Sequence, residues 1–457
     1  MTKSYIDVKR RLWGVTLFAA AGVLAMPSLA SAQEAASKDE VFSLSTTIKI
    51  DTTALVSFDI SWVDTTLGQY FLADRSHKSI DVIDTASNTV STLIIPTGSN
   101  AFAGVVPTPP NVLSGPNGVL TLQNTGGREI WTGDGPTVPP LVNGQSICAT
   151  NAFNPTASPQ VPLNGKCSTV KVFPANATDG AAPSHIISTN GAFRADELCH
   201  DPRDHLILMA NDADTPTFIS FISTDTYAVI SQLAIPEASN GIEQCQWDAD
   251  TAMFYLNIPE VSGPGDDSAD GSVYVISPKT MTIVKKFDVP VAECAGPQGM
   301  AIGPNNQILL GCNAGGPPAT TGPQNMAILN KRSGAIIAVL DGLGGADQVG
   351  FNPSDGHYFG ALGSHLPDEL LAVIDAKSHL ADQSVFVGNA GGTTRRAHSV
   401  AADPNTNQVY LPVPATGGGS PGFTSTLCGA DAATGCIAVF TTTGNNNNKQ
   451  LVRRHQN

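Results

Sequence analysis

The chain is predicted to be all-β, folded as a seven-bladed β-propeller of four-stranded antiparallel blades. Three observations carry this expectation. Short runs rich in β-branched and aromatic residues recur in sets of about forty to fifty residues, the period of a repeat that buries its faces only by stacking. Asp, Asn, Gly and Pro punctuate those sets at matching offsets. The composition, 44 Gly and 32 Pro with 14% charged and 41% hydrophobic residues, excludes both a disordered polyampholyte and a bundle of charged helices.

In chain order, the first element lies outside the fold. Lys9, Arg10 and Arg11 precede an apolar run from Leu12 to Leu29, and Ala30, Ser31 and Ala32 form a small-residue cleavage site before Gln33. Residues 1–32 read as a secretory signal peptide, which makes the remainder periplasmic or secreted, with no transmembrane segment after cleavage. Removing Lys3, Lys9, Arg10, Arg11 and Asp7 subtracts a net +3 from the formal charge of −15 and leaves about −18. That charge argues against nucleic acid, which requires a positive field, and suits cations or neutral partners.

Residues 33–443 form the predicted propeller. Its first unit reads as Tyr70 to Asp74, Ser79 to Asp84 and Val90 to Ile94, three short strands separated by turn residues such as Thr85-Ala86-Ser87-Asn88. Comparable sets follow at Leu206 to Ile230, Met253 to Val284, Ile308 to Val339 and Tyr358 to Val387. A further strand precedes each set, and several end at Asp201-Pro202, Gly303-Pro304, Asn352-Pro353 or Asp403-Pro404. Counting back five residues from that mark or its equivalent registers Asp59, Asp196, Glu243, Gln298, Asp347 and His398, with Asn117 the match in the second unit. The separations are 58, 79, 47, 55, 49 and 51 residues, which gives seven units.

The long interval implies an insertion at about 133–166 in blade 2, rich in Pro, Asn and Gly and stapled by Cys148 with Cys167. The last unit lacks an outer strand after Ile437 to Phe440, so Thr46 to Ile50 is expected to supply it and close the ring. Residues 444–457, with a run of four Asn, read as a solvated, disordered tail.

The segment Ala73 to Asp84, with its polar Asp74-Arg75-Ser76-His77-Lys78 loop, resembles the secreted YVTN-type repeat. Gly115-Pro116-Asn117-Gly118 and Gly296-Pro297-Gln298-Gly299-Met300-Ala301 are similar to the inner-strand entries of lactonase-like, and specifically gluconolactonase-like, propellers. The resemblance covers nearly all of the chain after residue 32. It implies a divalent ion held by carboxylate and Asn ligands at one mouth of the central channel, and hydrolysis of a lactone or ester; Asn117 is the position that carries over.

In a propeller the registered residues converge at that mouth, and four of the seven are carboxylates. Mutual repulsion in a narrow channel is relieved by a cation or by ordered water. For the cation, Asp59, Asn117, Asp196, Glu243 and Gln298 are the candidate ligands, and oxygen donors favour Ca²⁺ or Mg²⁺. His398 and Asp347 are the candidate catalytic groups, one of them serving as base for water while the ion polarises a carbonyl. The rival expectation is a non-catalytic interaction scaffold that grips a protein partner through the insertion and the loop at 411–427. In either case a monomer is expected.

No Cys-x-x-Cys-His haem attachment, no nucleotide-binding glycine loop and no Gly-x-Ser-x-Gly elbow is present. Asp266, Ser268, Asp270 and Gly271 have calcium-loop spacing, but position twelve is Ser277 where Glu is needed, so a solvated turn is the simpler reading. The eight cysteines, an even number, suit disulfides in an oxidising compartment. Cys199 and Cys245 fall at similar depth on neighbouring inner strands, Cys294 and Cys312 flank the mouth, and Cys428 and Cys436 would close a short loop.

Overall fold

The computed structural model describes residues 41–106, 112–136, 141–142, 145–146, 167–313, 323–389, 396–417 and 422–442. Seven four-stranded antiparallel sheets account for nearly all of the strands among them, with one further two-stranded ladder at Leu141–Val142 and Gln145–Ser146. Blade 1 runs Ser61–Asp64, Gln69–Asp74, Ser79–Asp84 and Thr89–Ile94 from the axis outward. Blades 3 to 6 repeat that order, beginning at Leu198–Asp201, Cys245–Asp248, Pro297–Ile302 and Val349–Asn352. Each inner strand touches those of both neighbouring blades all the way round, which is the closed ring expected.

The mark used for counting has a physical basis. Asp201, Asn352 and Asp403 each turn a side-chain oxygen onto the N–H two residues ahead, so the carboxylate or amide closes the turn that ends the inner strand. A second repeated turn joins the third strand to the outer one. There the N–H of Asn88, Tyr227, Met281, Gly334 and His379 donates to the carbonyl four residues back, and each of these residues has positive φ. A β-bulge follows that turn in blades 1, 3, 4, 5 and 6 and adds the twist that lets the blades stack.

Second and third strands are buried on both faces, as in Leu206–Asn211 and Phe218–Ser223, whereas outer strands such as Thr89–Ile94 alternate. Their side chains form apolar layers between blades, for example Tyr255, Val273 and Phe287 of blade 4 against Leu309, Ile328 and Leu329 of blade 5.

Blade 7 is closed by an N-terminal strand as expected, but its bounds differ. The closing strand is Phe42–Ile48, paired from Phe42 opposite Thr442 to Ile48 opposite Ile437. It begins four residues before Thr46 because Thr441 and Thr442 continue the strand Cys436–Thr442 and need partners. In blade 2, Gly133 and Asp134 belong to the second strand Gly127–Asp134, so the insertion starts after them and the third strand resumes at Thr169–Pro174. Cys167 is disulfide-bonded, whereas Cys148, most of the insertion, the signal segment and the tail lie outside the described residues.

Three further disulfides match the expected pairs. Cys199–Cys245 joins the inner strands of blades 3 and 4, Cys294–Cys312 lies within blade 5, and Cys428–Cys436 ties the last strand to the loop before it. Among the described residues no helix is long and apolar enough to cross a membrane.

Candidate acidic site at the channel mouth

The inner strands of blades 1 to 4 are entered through the same pair of backbone hydrogen bonds. The Asp59 N–H donates to the Ala73 carbonyl at 2.8 Å, and the Ala73 N–H donates back to Ile60 at 3.2 Å. Asn117 with Gly133, Asp196 with Ala210 and Glu243 with Asn257 repeat the pattern, and in blade 6 Ala361 donates to Gln348, the residue after Asp347. These positions therefore occupy one rung of their blades. Gln298 lies inside Pro297–Ile302, where the register shifts, and the His398 carbonyl accepts from Gln348 at 3.0 Å across the blade boundary.

The glycines of this rung allow the blades to approach. Gly118 donates its N–H to the Asp196 carbonyl at 2.9 Å, and a Cβ on Gly118 would stand 2.6 Å from that oxygen. Gly133 is equally constrained, with a Cβ meeting Ala195 O at 2.4 Å. Any larger residue would push blades 2 and 3 apart.

Two arginines, Arg75 buried and Arg194 half-buried, divide the ring. Arg75 reaches from blade 1 to hold Asp59 Oδ2 at 2.6 Å and Asn117 Oδ1 at 2.8 Å through one terminal nitrogen. Asn117 spends its amide nitrogen on the carbonyls of Ser114 and Ala195. Arg194 holds Asp196 Oδ2 at 2.7 Å and Asp212 Oδ2 at 2.8 Å. Asp59, Asn117 and Asp196 are thus engaged by guanidinium groups, and a second set of acids faces one another in blades 3, 4 and 6, with Arg194 and Arg396 nearby. Glu197, Glu243 and Asp347 each bring a carboxylate oxygen to a cluster in which all three lie within 4.8 Å. Gln298 Nε2 donates to Glu243 Oε1 at 3.4 Å.

Burial sets the electrostatics of this cluster. It raises Glu197 and Glu243 well above the ordinary carboxyl range, and repulsion from Asp347 and Asp196, with that of Glu243 on Glu197, adds to the shift. Asp59 is also raised by burial, against the pull of Arg75, and Asp212 is pushed up to about 7 by burial against that of Arg194. Asp347 differs. Burial would raise it too, but His398, with the charges of Arg396 and Arg194, outweighs burial and holds it below the usual value. His398 Nδ1 lies 3.2 Å from Asp347 Oδ2, and its ring stacks on Phe58 with centroids 4.9 Å apart. Burial, with the nearby Arg396 and Arg75, lowers the imidazole pKa despite Asp347, so the ring is neutral at pH 7.

Beneath the rim lies a channel cavity of about 370 Å³, lined by Glu197, Gln244, Gln348, His200, Trp62 and Trp247 among others. The inner strands are sheet edges, and glutamines cover their unpaired backbone groups. Gln348 Oε1 accepts from Ser61 N–H at 3.2 Å and Val400 N–H at 3.0 Å while its Nε2 donates to Ser61 O at 2.8 Å, and Gln246 bridges Met300 and Ile302 in the same way.

The registered positions alone did not disclose Glu197 or the part played by Arg194. The signal was in the adjacent position, where Glu197, Gln244, Gln348 and Ser399 are polar in a fold whose strands are otherwise apolar. In the second tier, Glu260 accepts the N–H groups of Gly265, Asp266 and Ser268 and so organises its own loop. The calcium-like spacing does not close on an ion, because Ser277 ends the strand Gly271–Ser277 at the far side of the blade.

No known protein-family profile matches the chain, and no curated protein matches its sequence. Among solved structures, 1201 chains match, so the fold is a widely used one and says little by itself about activity. The WD40 β-propeller domain of Doa1 superposes with a TM-score of 0.52 at 9% identity, over 88% of this chain and 97% of that one. A chain of a mitotic checkpoint complex gives 0.53 at 11%, over 94% and 99%. The Neurospora crassa Pan2 WD40 domain gives 0.51 at 8%, over 85% and 90%. At these identities the likeness is one of fold: a WD40-like seven-bladed propeller.

Proposed function

We propose that this propeller is an exported binding protein that holds a divalent cation at its acidic channel mouth and, through it, a small oxygen-bearing ligand in the channel. The observation that carries the reading is the approach of Glu197, Glu243 and Asp347 within 4.8 Å, while the nearby Arg194 is ion-paired to Asp196 and Asp212. Three carboxylates this close are relieved either by protons or by a cation, and oxygen donors suit Ca²⁺ or Mg²⁺. Export is supported by the apolar leader ending at Ala32 and by the disulfides.

The neutral imidazole of His398 beside Asp347 supports a finer reading, lactone or ester hydrolysis of the lactonase-like kind. In it, His398 would take the proton from water and Asp347 would stabilise the resulting imidazolium, and a cation held by Glu197 and Glu243 would supply polarisation of the carbonyl. Elemental analysis of purified protein tests the binding reading, with about one equivalent of Ca²⁺ or Mg²⁺ expected and a loss on Glu243→Gln. A panel of esters and lactones, assayed with and without added ion, tests the finer one.

A second reading, an interaction scaffold, is favoured by the neighbour found in a mitotic checkpoint complex and by exposed apolar side chains on outer strands, Val284, Ile337 and Phe386 among them. Metal-free protein whose melting is unchanged by a chelator would support this reading over the first.

A further inference from the structure

A third arginine reaches the channel mouth, and its surroundings differ from those of Arg75 and Arg194. Arg396 stands two residues before His398, as Arg194 stands two residues before Asp196. Arg194 is neutralised by Asp196 and by Asp212, the residue that follows the second strand Leu206–Asn211. In blade 7 both acids are replaced. His398 takes the place of Asp196, and Pro414 follows the second strand Gln408–Val413.

Arg396 accordingly has no carboxylate partner among the described residues. Its Nη1 donates to the Ser364 hydroxyl oxygen, its one hydrogen-bond partner among them. Ser364 is 2% exposed and is itself fixed, with its N–H on the Gly345 carbonyl at 2.9 Å, two residues before Asp347. The guanidinium is thereby held at the boundary of blades 6 and 7, where Asp347 meets His398, and its charge acts on both. Arg396 is half-buried, so it is open to a ligand yet partly withdrawn from water. A guanidinium carries five N–H donors in a planar fork, and one hydroxyl oxygen occupies one of them. Withdrawing such a cation from water is costly, and an incoming anion offsets the cost.

We propose that Arg396, held by Ser364, is the anion anchor of the mouth, and that the ligand is a small hydroxy acid whose carboxylate it grips. The planar two-oxygen carboxylate matches the guanidinium fork. One guanidinium balances one negative charge, which suits a carboxylate better than a phosphate dianion. The chain's charge of −15 repels anions at long range, so an anion is captured only where a local positive group receives it. The place of the ligand's hydroxyl oxygens, on the cation, rests on the binding reading above, whereas the carboxylate contact does not require the ion.

The test is calorimetric titration of glycerate, of glycerol as its neutral counterpart and of inorganic phosphate into purified protein with and without Ca²⁺, the ion content of each sample being measured. Glycerate should bind at least about tenfold more tightly than glycerol, and Arg396→Gln should abolish that preference. Arg396→Gln should hold at least as much Ca²⁺ as the parent, since it removes a positive charge from beside the acids. Arg396→Lys, which keeps the charge and loses the fork, should weaken glycerate about threefold or more, and it gives the answer if Arg396→Gln does not fold. A merely structural arginine would alter melting and leave the preference intact. Absence of the preference, its survival in the substituted proteins, or tighter binding of phosphate than of glycerate would overturn the proposal. In protein that holds the ion, any of these leaves the cation reading in place. An Arg396-dependent preference in protein that holds no ion would support the anchor and remove the cation.

Discussion

The imidazole of His398 and the carboxylate of Asp347 meet across the boundary between blades 7 and 6, Nδ1 to Oδ2 at 3.2 Å. The contact places a neutral imidazole beside an acid held below its usual range, while burial raises its neighbours Glu197 and Glu243 above theirs. If the mouth hydrolyses an ester or lactone, His398→Gln should lower kcat by about 10²–10⁴ while the bound ion is retained. Asp347→Asn should lower activity and metal content together. Because burial lowers the His398 pKa, the acid limb of the pH–rate profile should lie below the ordinary histidine value of about 6.5. A profile whose acid limb lies above that value, or a His398→Gln enzyme of full activity, would remove His398 from the mechanism.

Arg194 is the counter-charge for two acids on different strands, Asp196 and Asp212. Its burial is costly, and the two carboxylates offset that cost and raise its pKa further. Arg194→Met would leave Asp196 and Asp212 facing each other in a dry rim. We expect a loss of about 3–5 kcal/mol in urea denaturation near pH 7, as for other buried pairs broken on one side. The loss should shrink at lower pH, since Asp212, pushed up to about 7, is then protonated and no longer needs the arginine. A pH-independent loss would show that packing of the arginine stem, not charge, is what matters.

The repeat, the blade number and the rung shared by Asp59, Asn117, Asp196, Glu243 and Asp347 were legible in the sequence because turns need particular residues. An Asp or Asn that closes a turn with its own side chain must stand at a fixed distance from the strand it ends, so counting from Asp201 or Asn352 finds equivalent positions. What the sequence did not disclose is which acids an arginine engages directly. Asp59 and Glu243 look alike on paper, and they differ because Arg75 ion-pairs with the first at 2.6 Å, whereas Arg194 ion-pairs with Asp196 and Asp212 and acts on Glu243 through its charge. That depends on where a long side chain from a loop comes to rest, which periodicity does not encode. Glu197 escaped notice for a related reason. Strand alternation sends it to the opposite face from Asp196, yet near the axis both faces of an inner strand border the channel.

His357 provides a pH-dependent contribution far from the mouth. It begins the second strand of blade 6, with Nε2 3.0 Å from Asp382 and Nδ1 3.4 Å from Asp355, and its ring packs edge-on against Phe42 of the closing strand. Burial opposes its charge, but the two aspartates prevail and raise its pKa to about 9. A histidine raised on folding stabilises fully below its unfolded pKa, and that stabilisation is lost as pH climbs through the folded value. Stability should therefore fall between about pH 6.5 and pH 9, by roughly 1–2 kcal/mol once the solvent exposure of Asp382 is discounted. His357→Gln should flatten this part of the curve, and an unchanged slope would mean that the ion pair contributes nothing to closure.

The turn from Asp248 to Ala252 joins the inner and second strands of blade 4, and Ala252 closes it with its N–H on the Asp248 carbonyl at 2.8 Å and φ of 55°. In blades 1 and 6 the same turn is closed by Gly68 and Gly356, with φ of 64° and 79°. The left-handed region costs an L-residue roughly 1 kcal/mol because Cβ crowds the following carbonyl. Against this, a glycine has more freedom to lose from the unfolded chain, about 0.4–1 kcal/mol. The Ala252 side chain is half-buried and the turn is otherwise held by Asp248, whose Oδ2 accepts from Thr251. Ala252→Gly should therefore be stabilising or neutral, by about 0–1 kcal/mol, although most substitutions in a folded domain are destabilising. Urea titration at pH 7 measures it directly. A loss greater than about 1 kcal/mol would mean that the methyl group packs against blade 4 more tightly than its exposure indicates, and that the blades do not share one turn geometry at this rung.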